Sequence, residues 1–87
     1  MERILVEVKS FINRSLTYDF HQAYGQFRIY RRGVARVASE LVLFMAIPED
    51  AYIELQTRPF YMDLIEEENI KLLIFNPINK NIVAWIR

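Results

Sequence analysis

A mixed α/β domain, in the order strand, helix, strand, helix, helix, strand, strand, is what this sequence predicts, and three observations carry the prediction. Two short apolar runs read as buried strands: residues 3–9, nearly continuous and β-branched as in a strand covered on both faces, and residues 41–47. Between them, from Ser15 to Val37, apolar residues recur at three- and four-residue steps, the period of a long amphipathic helix. The chain closes on two further apolar runs, 70–75 and 82–86, separated by Asn76-Pro77-Ile78-Asn79-Lys80-Asn81, a hairpin signal. At 87 residues, 53% of them hydrophobic, these elements fit a single domain spanning 1–87.

Each element has its local reason. The first strand ends in Glu7 and Lys9, two apart and therefore on one face. Ser15 is an N-cap, with Asp19 just inside the helix it opens. Along that helix Leu16, Phe20, Ala23, Tyr24, Phe27, Tyr30, Val34 and Val37 form the apolar side. Arg28, Arg32 and Arg36 line the opposite side at i, i+4 spacing, with Arg31 alongside. Gly25 sits mid-helix, where it costs about 1 kcal/mol relative to alanine, so a close backbone contact is expected there. Pro48, Glu49 and Asp50 read as a helical first turn, with acids at its positive end. Pro59 divides the helical stretch in two, Glu66, Glu67 and Glu68 end the second piece as a solvated run, and Asn69 caps it. Trp85 is expected to anchor the hairpin from the core, and Tyr52, Phe60 and Tyr61 to pack around Pro59.

Composition narrows the function. Eleven basic and eleven acidic residues cancel, which excludes a tail held to its partner by bulk charge. With no cysteine there is no disulfide framework, thiolate zinc site or thiol nucleophile. The lone His21 makes no zinc site and reads as structural, or else as lining a groove beside Gln26. No apolar run approaches the about 20 residues of a membrane helix. Glu2, Arg3, Glu7 and Lys9 interrupt any signal-peptide core, so a cytoplasmic protein that contacts no membrane is expected. The charge is nonetheless uneven. Residues 1–36 hold seven basic and three acidic side chains, a net of +4, which leaves −4 for the rest and hints at a polyanion-facing side.

Two constellations could carry chemistry. In Glu7-Val8-Lys9 a carboxylate that can bind a hard cation stands beside an ammonium that can orient water or neutralise a phosphate. Gln26 and Tyr30, four apart on one helix face, can reach a common site. The arginine stripe of Arg28, Arg32 and Arg36 is either a solvated face or a contact for nucleic-acid phosphate.

The succession of a strand bearing Glu-x-Lys and a helix bearing Gln-x-x-x-Tyr resembles the nuclease superfamily built on a Pro-Asp…(Asp/Glu)-x-Lys motif. More closely, the chain resembles the XisH family, the fdxN element excision controlling factors of cyanobacterial DNA rearrangement. The stretches that carry this likeness are Val6-Glu7-Val8-Lys9-Ser10-Phe11, Asp19-Phe20-His21-Gln22-Ala23-Tyr24-Gly25-Gln26, Ala46-Ile47-Pro48-Glu49-Asp50-Ala51-Tyr52 and Ile82-Val83-Ala84-Trp85-Ile86. The resemblance implies a restriction-endonuclease-like fold and work alongside an XisI-type partner and a site-specific recombinase. Family members are longer at the N-terminus, where they supply the Asp that completes the metal site. This chain is expected to be truncated there, with Glu7 as its metal ligand, weak binding of Mg or Mn, and an exposed N-terminal strand edge that drives homo-oligomerisation or partner docking.

Three readings follow: a DNA-excision accessory with impaired or absent nuclease activity; an active Mg- or Mn-dependent endonuclease whose missing acid comes in trans, with Glu7, Lys9, Gln26 and Tyr30 catalytic; or a pure interaction module centred on Glu49, Asp50 and Glu66 to Glu68.

Overall fold

A computed structural model describes residues 3–8, 15–38 and 40–87, with side chains from Ser15 onward. The elements follow the predicted order: β1 (Arg3–Val8), α1 (Leu16–Val37), β2 (Leu41–Pro48), α2 (Glu49–Leu55), α3 (Pro59–Glu67), β3 (Lys71–Phe75) and β4 (Ile82–Ile86). The four strands form one sheet in the order β1-β2-β3-β4. β1 and β3 flank β2 in parallel, and β4 runs antiparallel to β3. Parallel neighbours need a crossover connection, and helices supply both: α1 between β1 and β2, then α2 and α3 between β2 and β3.

The element ends are set locally. The Ser15 side chain accepts a hydrogen bond from the Tyr18 amide at 3.1 Å, which caps α1 as its sequence predicts. Pro48 closes β2 and stands as the N-cap of α2, while Pro59 opens α3, where its missing N–H costs nothing. α3 stops because Asn69 takes a left-handed conformation, φ 53°, one of the few non-glycine residues that does so readily. In the β3–β4 hairpin the Asn76 carboxamide accepts from the amides of Ile78 and Asn79, and Lys80 turns the chain at φ 64°.

The main core lies between one sheet face and the helices. Leu43, Met45 and Ile47 of β2 and Leu72 and Ile74 of β3 meet Phe20, Ala23 and Phe27 of α1, Leu55 of α2 and Ile65 of α3. Burying a side chain of Phe27's size contributes about 1.5–3 kcal/mol. β2 is central, and its alternate residues Phe44 and Ala46 point the other way, into a smaller cluster with Leu73. Trp85 anchors the hairpin to that second cluster rather than to the main core: its ring meets Phe44 edge-on at 5.0 Å and stays 42% exposed. Among the described residues the expected close contact at Gly25 is absent, since a Cβ there would meet nothing within 4 Å.

Candidate functional site

Glu7 lies near the C-terminal end of β1, in register with Met45 of β2, and Val8 beside it pairs with Ala46. Its side chain, and all of Lys9, fall outside the described residues. Gln26 and Tyr30 lie on α1, the helix that returns the chain from β1 to β2, and both are exposed, Tyr30 by 43%. They share their flank with a residue that sequence reasoning counted only as a first-turn acid. Asp19, Ala23, Gln26 and Tyr30 follow one another at steps of four, three and four, a single stripe beside the buried face. Asp19 is a buried carboxylate, 5% exposed, and it, Gln26 and Tyr30 are each held by an interaction. The signal for Asp19 was there to read, an acid placed in line with the apolar stripe. Among the described residues no group of three or more His, Asp or Glu side chains is placed to hold a metal ion.

The other flank of α1 meets α3. There Glu68, expected to be a solvated helix end, gathers three α1 side chains. Tyr24 donates its hydroxyl to Glu68 Oε1 at 2.8 Å, Arg31 donates Nη1 to the Glu68 carbonyl at 2.8 Å, and Arg28 Nε stands 3.9 Å from Oε1. Burial of the half-exposed Tyr24, reinforced by its hydrogen bond to Glu68, raises the phenol above its ordinary value of 10.0. Of the predicted stripe, Arg28 is thus shared with Glu68, whereas Arg32 and Arg36 continue along the exposed side. The two charge halves intermix at this point, where Arg28 and Arg31 face the Glu68 carboxylate. His21 takes the structural of its two readings: its Nε2 lies 3.1 Å from the Tyr61 hydroxyl on α3. Arg58 ties the α2–α3 turn to α1 through the Thr17 hydroxyl, at 3.1 Å, and to Glu54 at 3.1 Å.

This chain matches the family model described as XisH protein over residues 1–83. The chain belongs to the XisH family. Two solved structures agree closely. An XisH family protein from Nostoc punctiforme PCC 73102 is 38% identical, with a TM-score of 0.92 over 99% of this chain and 68% of its own. A fdxN element excision controlling factor protein from Anabaena variabilis is 35% identical, with a TM-score of 0.89 over 97% of this chain and 66% of its own. The chain therefore spans about two thirds of the length of these XisH structures. No curated protein matches it. No described helix is long and apolar enough to cross a membrane.

Proposed function

We propose that this XisH chain is a controlling factor of DNA excision, accessory to a site-specific rearrangement, built on a restriction-endonuclease-like frame and contributing recognition rather than strand cleavage. The observation that carries the reading is the match over residues 1–83, joined by a relative described as a fdxN element excision controlling factor. On this reading Arg32 and Arg36, with Arg28 beside Glu68, meet DNA phosphates across the exposed side of α1. An XisI-type protein is the partner, and the outer edge of β1, which no other described strand pairs, serves for docking or self-association.

A second reading, an active endonuclease, is favoured by one specific arrangement: Glu7, the carboxylate of the Glu7-x-Lys9 sequence, near the end of β1, followed by a helix on which buried Asp19 shares a flank with Gln26 and Tyr30. Glu7 would hold Mg or Mn, Lys9 would handle the attacking water, and Gln26 and Tyr30 would position phosphate. Incubating supercoiled plasmid with the purified chain and either metal, beside Glu7→Ala and Lys9→Ala, separates the two. The accessory reading expects no nicking from a chain whose circular dichroism shows it folded. Nicking that either substitution abolishes would overturn that reading in favour of the enzyme.

A further inference from the structure

We infer that the sheet face turned away from the helices is a docking surface for an acidic segment of a partner protein, which seats one large apolar side chain in a cavity walled by the β3–β4 hairpin and sets a carboxylate against Lys80. α1, α2 and α3 all pack on the face that carries Leu43, Met45, Ile47, Leu72 and Ile74, and the smaller cluster of Phe44, Ala46 and Leu73 on the other face receives no side chain from any described helix. Sheets built from parallel strands ordinarily bury both faces. Here the second face is hollowed by a cavity of about 390 Å³, lined by Ala46, Leu73, Phe75, Pro77, Lys80 and Ile82. Binding pockets ordinarily run to roughly 300–1,000 Å³. Ile82 stays 53% exposed and Trp85, in register with Leu73, 42% exposed, an aromatic ring of the kind that anchors interfaces.

Charge selects the occupant. Apart from Lys80 every residue lining the cavity is apolar, so the cavity suits an apolar group with an anion beside it. The hairpin fixes Lys80 in place, its amide donating to the Asn76 carbonyl at 2.8 Å with φ 64°, and no acidic residue lines the cavity to neutralise its ammonium. Lys71 falls on the same face, two residues before Leu73 on β3. A second copy docked face to face would bring these lysines against their equivalents, and nucleic acid would answer the lysines with phosphates while leaving the cavity unfilled. An acidic peptide with one large apolar side chain satisfies both features. The arginines of α1 lie across the sheet, so this surface and the DNA reading stand or fall separately.

Trp85 is the only tryptophan of the chain, so its fluorescence reports on this face. Titration up to millimolar concentration with a short capped peptide, one central phenylalanine flanked by glutamates, is expected to shift Trp85 emission to shorter wavelength and to saturate. The same peptide with lysines in place of the glutamates, or alanine in place of the phenylalanine, should bind about tenfold more weakly or worse. Lys80→Asp, chosen because aspartate tolerates a φ of 64°, should reverse the preference between the glutamate and lysine peptides. Ile82→Glu should abolish the response to the glutamate peptide with the circular dichroism of the parent kept, since Ile82 is exposed, and Ile53→Gln, comparably exposed on α2, should change nothing. Absence of a saturable shift overturns the inference. So does binding that ignores the charge of the peptide or survives Lys80→Asp and Ile82→Glu, or a tighter response to a single-stranded oligonucleotide than to the glutamate peptide.

Discussion

Glu68 is the residue at which the acidic and basic halves of this chain meet. It is one of three consecutive glutamates, and sequence patterning treats them alike, as the polar end of a helix. Which of the three turns inward depends on how α3 lies against α1, a tertiary fact that no local pattern contains. Once placed, Glu68 takes the Tyr24 hydroxyl at 2.8 Å and draws Arg31 and Arg28 toward α3. Tyr24→Phe removes that hydrogen bond and should cost about 1 kcal/mol near neutral pH. The pH dependence has a definite sign. Folding holds the phenol protonated above its ordinary value of 10.0, so the contribution is complete below that pH. Above it the unfolded phenol ionises first, and the stability is lost as pH rises through the folded value. Urea unfolding of the parent and Tyr24→Phe should therefore show curves that converge on the alkaline side; curves that stay parallel would refute the role given to this hydroxyl.

α1 shows how far an element can be read without its surroundings. Its length, its Ser15 cap and its buried stripe of Leu16, Phe20, Ala23 and Phe27 all follow from spacing and side-chain type. The flanks do not, because they are defined by what packs beside them: Tyr24 and Arg31 by α3, Asp19 by its place at the margin of the core. The apolar period also overreached at the C-terminal end, where Val37 is 86% exposed although it falls on the predicted stripe. The buried residues of α1 end at Phe27. Gly25 was expected to be explained by a close backbone approach, yet among the described residues the space around it is open and its φ is not positive. Nothing in the described structure then requires glycine, and Gly25→Ala should raise stability by about 0.5–1 kcal/mol, the helix-propensity difference unopposed by any clash. Thermal or urea unfolding measures it, and a loss of stability would show that a contact outside the described residues needs the glycine.

At the scale of the whole molecule the strand order could not be derived from the sequence, although the order of elements along the chain could. Apolar runs announce strands but not their neighbours, and only the sheet shows that β1 and β4 are the outer two of the four described strands, with α1 packed on one face. That arrangement also decides which of the arginines can serve a polyanion. A guanidinium already facing a carboxylate is partly neutralised, so it displaces fewer counterions from DNA than a fully solvated one. Arg32 and Arg36 occupy the solvated case, and Arg28, 3.9 Å from the Glu68 carboxylate, the shared one. For duplex DNA followed by fluorescence anisotropy across a salt series, Arg32→Ala and Arg36→Ala should each flatten the slope of log K against log salt by about 0.9. Arg28→Ala should flatten it by less, and Glu68→Gln, by releasing Arg28, should steepen it. Equal slopes for all four variants would place DNA elsewhere on the molecule and leave this face to α1–α3 packing alone.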